Sequence, residues 1–161
     1  MSATNRGSVR SPNDFYPTPL SAFDPLVNYL VPNANYWEPA CGDRRLIKVL
    51  NMCGFIADGN DLINGYNYLE DTNKYDCILT NPPYSLAFEF CQQAVKYSQH
   101  TYLLLRLNFL ASIKRRAWFK SNEPSAIFVL SERPSFTGSG TDATDYAWIY
   151  WGNFIRGIFH L

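Results

Sequence analysis

Tyr-Asp-Cys-Ile-Leu-Thr-Asn-Pro-Pro-Tyr, at positions 75–84, joins a short apolar run to a turn that contains two prolines. An apolar run of this length, ended by turn residues, is typical of a buried β-strand and is too short for a helix. We therefore predict a strand over Tyr75–Thr80, with Asn81 as the first residue beyond its carboxyl end. Open α/β sheets bind their ligands beyond the carboxyl ends of the strands, so Asn81 occupies a candidate site.

Segments of strand type and helix type alternate on both sides of this stretch. Helices are predicted over residues 21–30, 45–52, 86–97 and 113–120, where apolar residues recur at helical spacing. Strands are predicted over residues 36–39, 102–107, 126–131 and 146–151, and residues 55–62 are predicted to form a short strand that runs into a loop. This alternation predicts an α/β protein with a mostly parallel central sheet and helices on both faces. Gly42, Asp61 and Asn81 each follow a predicted strand, which places them at one edge of the sheet.

Length and composition limit the number of domains and the cellular setting. The chain has 161 residues, of which 47% are hydrophobic and 17% charged, as in globular proteins. We predict a flexible N-terminal arm over residues 1–13 and one domain over residues 14–161, without a separate target-recognition domain. Residues 1–12 lack the apolar core of a signal peptide, and no apolar run approaches the roughly 20 residues of a membrane span. The expected location is the cytoplasm, without a membrane partner.

The cysteines bear on metal binding, and the charge distribution bears on nucleic-acid binding. The four cysteines form no closely spaced pair, so we predict free thiols buried in the core and no metal site. The formal net charge is zero, but residues 100–161 hold seven basic and four acidic side chains, against seven and ten in residues 1–99. A phosphate backbone would therefore bind the second half of the chain.

The Asn-Pro-Pro-Tyr turn has the groups needed to alkylate an amino group on a base. An exocyclic amine is a poor nucleophile because its lone pair is delocalised into the ring. The side-chain oxygen of Asn81 and the carbonyl of Pro82 would accept both N–H groups and expose that lone pair, on a backbone stiffened by Pro82 and Pro83. Tyr84 would stack on an extruded base. The alternative interpretation is an ordinary turn after a buried strand.

Four motifs in this order resemble the amino-methyltransferase superfamily, and most closely the small phage-type DNA N6-adenine methyltransferases. They are Phe15-Tyr16-Pro17-Thr18-Pro19, Glu38-Pro39-Ala40-Cys41-Gly42, Asn60-Asp61-Leu62 and Asn81-Pro82-Pro83-Tyr84-Ser85. The resemblance implies a Rossmann-like S-adenosylmethionine-dependent methyltransferase fold with a terminal antiparallel strand. It also implies S-adenosyl-L-methionine as cofactor and adenine-specific DNA methylation of the EC 2.1.1.72 type.

The same resemblance implies a role for each motif. The first motif would hold the methionine end of the cofactor, the glycine loop would pass beneath it, Asp61 would bind the ribose hydroxyls and Tyr68 would contact the adenine. The residues implied in cofactor binding are Phe15, Tyr16, Thr18, Glu38, Ala40, Gly42, Asp61, Leu62, Tyr68 and Asn81. Those implied in catalysis are Asn81, Pro82, Pro83 and Tyr84.

Two positions in the cofactor motifs leave alternatives. Asp58 competes with Asp61 for the ribose role, and we favour Asp61 because it directly precedes Leu62. Arg44 replaces a glycine that the family usually carries, so its side chain either crowds the cofactor or points to solvent. Crowding would favour a non-catalytic binding protein on a decayed methyltransferase fold.

Substrate contacts are expected from the loops that follow the fourth and fifth predicted strands. Lys114, Arg115 and Arg116 form the basic cluster, and Arg133 precedes a Gly/Ser-rich loop. Each set either binds DNA phosphates or forms solvated and ion-paired surface. The alternative acceptors are the N4 amine of cytosine in DNA, RNA and protein glutamine. A monomer and a homodimer both suit so small a chain.

Overall fold

A computed structural model describes residues 17–136 and 143–161. Within these ranges seven strands form one sheet, and we label them in chain order. The strands are β1 (Asn35–Glu38), β2 (Ile56–Gly59), β3 (Tyr75–Thr80), β4 (Ser98–Arg106), β5 (Ala126–Val129), β6 (Tyr146–Trp151) and β7 (Gly157–His160). The α-helices are α1 (Leu20–Phe23), α2 (Arg45–Met52), α3 (Ala87–Tyr97) and α4 (Arg116–Ser121).

The sheet has the order β2-β1-β3-β4-β6-β5-β7. Strand β6 pairs antiparallel with β4 and with β5, and all other pairings in the described sheet are parallel. The predicted mostly parallel α/β sheet is therefore confirmed. The antiparallel strand is neither at the sheet edge nor last in the chain, because β7 follows it. Strand β7 was not predicted, because its sequence Gly-Ile-Phe-His does not alternate apolar and polar residues. Most of its residues are exposed.

The helices cover both faces of the sheet, as predicted. On one face α1 and α2 pack against strand side chains such as Tyr36, Leu79 and Trp148. On the other face α3 and α4 pack against side chains such as Leu103 and Ile149. Successive residues of a strand alternate between the faces, so the buried strands β3, β4 and β6 supply both layers.

Several predicted elements have different bounds in the structure, among them β2, which ends at Gly59. The helix expected over residues 21–30 is α-helical only in α1 and continues as a 3₁₀ helix over Asp24–Tyr29, whose first turn contains Pro25. Strand β4 begins at Ser98, directly after α3. Helix α4 begins at Arg116, so Lys114 and Arg115 lie in the turn before it. Helix α2 matches its predicted bounds and ends at Met52, and Gly54 shortly after it has a φ of +88°, which favours glycine.

The cysteines fit the prediction in part. Cys41, Cys77 and Cys91 are buried free thiols, as expected, whereas Cys53 is exposed at the end of α2. Among the described residues, no cluster of His, Cys, Asp and Glu side chains is arranged to hold a metal ion. In the same part of the chain, no helix has the length and apolar character needed to cross a membrane. Residues 1–16, including the predicted arm, lie outside the described residues.

Candidate cofactor and substrate site

A cavity of about 580 Å³ opens where β1, β2 and β3 end. Its walls combine carboxylates with apolar and aromatic side chains. The lining residues that follow β1 are Pro39, Ala40, Cys41, Gly42 and Asp43, next to Glu38 at the end of that strand. The others are Pro17, Thr18, Asp61, Leu62, Ile63, Tyr66, Asn67, Tyr68, Leu69, Asn81, Pro83, Leu86 and Phe90.

The loops after β1 and β2 are held together by hydrogen bonds that shape the cavity floor. The Asn60 amide donates to the Glu38 carbonyl at 3.1 Å, and the Cys41 amide donates to the Asn60 carbonyl at 3.1 Å. The Gly42 amide donates to Oδ2 of Asp61 at 2.8 Å. Gly42 has a φ of +48°, a left-handed conformation that glycine adopts without a steric penalty. The glycine loop is thus fixed against the acidic loop that follows the next strand.

Glu38 presents a buried carboxylate to this cavity. Its side chain is 4% exposed, and its Oε2 atom has no hydrogen-bond partner among the described residues. Burial raises the pKa of Glu38 well above its ordinary value, and the neighbouring Asp43 and Asp61 raise it further, against an opposing effect of Arg44. A buried carboxylate oxygen without a partner is costly for the protein alone. It is therefore suited to accept a hydrogen bond from a cationic ligand.

The two candidate ribose ligands, Asp61 and Asp58, lie in different places in the structure. Asp61 lines the cavity, and its Oδ1 accepts a hydrogen bond from the Ile63 amide at 3.1 Å. Asp58 is an exposed residue of β2 and forms an ion pair with Arg44, with 2.5 Å between Oδ1 and the guanidinium. Of the two acidic residues, only Asp61 is placed at the cavity.

Arg44 does not crowd the cavity. Its backbone has a φ of +62°, and its guanidinium reaches the Gly59 carbonyl at 3.0 Å as well as Asp58. The left-handed backbone explains why glycine suits this position. The side chain covers the end of β2 instead of entering the cavity, so the steric argument for a decayed site loses its support.

Residues 66–69 form part of the cavity wall. Tyr68 is buried and packs against the Phe90 ring at 5.1 Å between centroids, and its hydroxyl has no hydrogen-bond partner among the described residues. The hydroxyls of Tyr66 and Tyr75 both lie 2.5 Å from Oδ2 of Asp71. This carboxylate-centred cluster fixes the segment that carries Tyr68.

The Asn-Pro-Pro-Tyr turn closes the cavity on the side of β3. Asn81 and Pro83 line it, and Pro82 is buried behind them. Tyr84 does not line the cavity and instead begins the 3₁₀ turn that leads into α3. The turn thus extends from the cavity towards the end of β4, where Tyr84 meets other aromatic side chains.

Many of the residues that line this cavity were predicted from the sequence, but others were not. Eight of the residues implied in cofactor binding line the same cavity, namely Thr18, Glu38, Ala40, Gly42, Asp61, Leu62, Tyr68 and Asn81. Phe15 and Tyr16 lie outside the described residues. Tyr66 and Phe90 are among the lining residues that sequence reasoning missed. Phe90 faces the cavity from α3, one helical turn after Leu86, and that spacing was its one available signal.

The four basic residues predicted to bind substrate have different surroundings in the structure. Lys114 and Arg116 are exposed, whereas the Arg115 guanidinium lies 4.2 Å from the Phe109 ring centroid and its Nε donates to the Phe109 carbonyl at 2.9 Å. Arg133 forms an exposed ion pair with Asp145 at 2.7 Å. Arg115 and Arg133 therefore make local structural contacts, and the phosphate role of all four basic residues remains a prediction.

Comparison with known proteins identifies the fold. No protein-family model matches the chain, and no curated protein matches it in sequence. Several solved structures match in three dimensions. A candidate class I S-adenosylmethionine-dependent methyltransferase from Listeria monocytogenes matches with a TM-score of 0.63 and 16% identity, over 89% of this chain and 64% of that chain. A candidate RNA methyltransferase from Pyrococcus horikoshii matches with a TM-score of 0.62 and 12% identity, over 96% of this chain and 94% of that chain.

A third match is to a larger protein. The M protein of the type I restriction enzyme EcoKI (EC 2.1.1.72) matches with a TM-score of 0.53 and 17% identity, over 86% of this chain and 44% of that chain. The chain thus spans less than two thirds of the Listeria and EcoKI proteins. At these identities the likeness establishes the fold. The chain has the Rossmann-like fold of S-adenosylmethionine-dependent methyltransferases.

Proposed function

We propose that the chain is an S-adenosylmethionine-dependent methyltransferase that modifies the exocyclic N6 amino group of adenine in DNA. The observation that carries the proposal is the position of Asn81. The first residue of the Asn-Pro-Pro-Tyr turn lines the same cavity as the glycine loop and Asp61. A candidate acceptor for an amino group therefore shares one cavity with the candidate cofactor loops.

The residues of the cavity fit the proposed cofactor chemically. S-adenosylmethionine carries a sulfonium and an ammonium group, and Glu38, Asp43 and Asp61 line a cavity to which no described Lys or Arg contributes. The unpartnered Oε2 of Glu38 suits the ammonium group, and the Asp61 carboxylate suits a vicinal diol. Apolar side chains such as Leu62 and Phe90 suit the adenine ring.

The chain's own residues would activate the substrate amine. When bound, the cofactor supplies an electrophilic methyl group. The Asn81 side-chain oxygen and the Pro82 carbonyl would accept the two N–H groups of the substrate, which directs the nitrogen lone pair towards the donor. Because both acceptors belong to a turn fixed by consecutive prolines, little reorganisation is required at the moment of transfer. The proton leaves to solvent after transfer, so no dedicated base is needed.

Two features favour a nucleic acid as the acceptor over a protein side chain. Tyr84 ends the acceptor turn and would offer an aromatic ring to a base, and base–aromatic stacking is sequence-tolerant. Exposed Lys114 and Arg116 lie in the segment after β4, where phosphates would be contacted. The choice of DNA rests on the resemblance of the motifs and on the EcoKI-like fold.

The direct test is transfer of labelled methyl from S-adenosylmethionine to duplex DNA, single-stranded DNA, RNA and protein in parallel. We expect labelling of DNA, with N6-methyladenine in a nucleoside digest. N4-methylcytosine would support the cytosine alternative, and labelled RNA or glutamine would replace DNA as the substrate. If calorimetry detects no binding of S-adenosylmethionine, the chain is a non-catalytic protein on this fold.

Arg44→Gly tests whether the arginine affects the cofactor cavity. The substitution relieves a left-handed backbone, which costs about 1–2 kcal/mol in a non-glycine residue. It also removes an exposed ion pair worth about 0–1 kcal/mol. We expect the free energy of unfolding to stay equal or rise slightly, and the affinity for S-adenosylmethionine to change by less than about threefold. Denaturant titration and calorimetry measure both quantities, and a tenfold change in affinity would place Arg44 in the cofactor site.

A further inference from the structure

Tyr84 belongs to a cluster that joins the ends of three neighbouring segments. Arg106 is the last residue of β4, and it pairs across the sheet with Tyr146, the first residue of β6. The Arg106 guanidinium carbon lies 4.5 Å from the centroid of the Tyr84 ring. Phe136 packs edge-on against the same ring at 6.4 Å between centroids. A planar cation therefore covers one face of the aromatic side chain in the Asn-Pro-Pro-Tyr turn.

Hydrogen bonds connect the same residues along their edges. The Arg106 Nε donates to the Tyr146 hydroxyl at 3.1 Å, and that hydroxyl donates to the Tyr84 hydroxyl at 3.0 Å. Tyr146 is fully buried in the sheet, so the relay is anchored to the core. The ring of Tyr84 is thus held by a cation–π contact on its face and by a hydrogen bond at its edge.

We propose that Arg106 is a positioning residue for substrate, which acts through Tyr84. The inference rests on the proposed function and deepens it. At 4.5 Å from the ring, the guanidinium leaves no space for a base between itself and Tyr84. Any base that stacks on Tyr84 must therefore use the face opposite Arg106, and the orientation of the ring is set by Arg106 and Tyr146. Arg106 therefore defines the plane in which the extruded base presents its amino group to Asn81.

A double-mutant cycle tests this inference. We expect Arg106→Met and Tyr84→Ala each to lower kcat/KM for DNA methylation by about tenfold, the scale of one stacking contact. If Arg106 acts through Tyr84, the double variant is about as active as Tyr84→Ala alone. Arg106→Lys should restore little, because lysine keeps the charge but lacks the planar group and the Nε donor. Arg156→Met, at an exposed arginine between β6 and β7, is the matched control and should behave as wild type.

Two further measurements separate positioning from phosphate binding and from a folding defect. A duplex with 2-aminopurine at the target base reports extrusion and stacking by fluorescence, and we expect Arg106→Met to change that signal while S-adenosylmethionine affinity is retained. The slope of log KM against log salt should stay as in wild type, because loss of a phosphate contact would reduce it by about one.

Additive effects in the cycle, a reduced salt slope or rescue by lysine would overturn the inference while DNA methylation stands. If wild type methylates no DNA, the proposed function fails and the inference fails with it.

Discussion

Asn81→Ala is expected to lower kcat for methyl transfer by about 10²–10³-fold, the effect of removing one preorganised polar group from an active site. The side-chain oxygen of Asn81 is the proposed acceptor for one N–H of the substrate amine, and alanine cannot replace it. The loss should fall on kcat, because the hydrogen bond strengthens as positive charge develops on the nitrogen during methyl transfer. Affinity for S-adenosylmethionine should change by less than about threefold, since the carboxylates of the cavity remain.

Asn81→Ser is the graded control for this experiment. Serine keeps an oxygen acceptor with a shorter reach, so its kcat should lie between those of wild type and the alanine variant. Thermal unfolding of all three proteins checks that the turn and β3 stay folded. Equal labelling of DNA by wild type and Asn81→Ala would remove Asn81 from the active site and the main argument for the proposed activity.

The sequence predicted those parts of the site that depend on local signals. Asn-Pro-Pro ends an apolar run, so the bounds of β3 and the location of Asn81 followed directly. Asp61 was preferred over Asp58 because it directly precedes Leu62, and the structure puts Asp61 at the cavity. The roles of these residues remain predictions, whereas their convergence at one edge of the sheet is a feature of the structure.

Other features depend on contacts between distant segments and gave no local signal. The side chain of Arg44 avoids the cavity because its backbone has a φ of +62° and because Asp58 is within reach. Arg106 was simply the end of a strand in the sequence. Its contact with Tyr84 exists because β6 inserts beside β4, which brings Tyr146 from 40 residues away. The burial of Glu38 likewise follows from the packing of neighbouring loops.

Glu38→Gln is expected to weaken S-adenosylmethionine binding by about 10- to 100-fold, the scale of one charge-assisted hydrogen bond. The same substitution should stabilise the protein in the absence of cofactor. Glutamine is nearly isosteric, and it removes a carboxylate whose ionised form is disfavoured by burial and by two neighbouring carboxylates. Asp43→Asn is the matched control, because Asp43 lines the same cavity but is exposed and paired with Arg45 at 2.7 Å. It should alter both quantities much less.

The raised pKa of Glu38 predicts how the effects of Glu38→Gln change with pH. The pKa of Glu38 is raised in the folded protein, so its contribution to stability is complete below the pKa of the unfolded chain and is lost as pH rises through the folded pKa. The stability advantage of Glu38→Gln over wild type should therefore widen as pH rises through that range.

A bound cation favours the ionised carboxylate, so cofactor binding should tighten over the same range and release a proton from wild type. Calorimetry in buffers of different ionisation enthalpy measures that proton, and subtracting the Glu38→Gln value removes the titration of the cofactor itself. Equal proton release by the two proteins, or tighter binding by the variant, would show that Glu38 does not face the ammonium group.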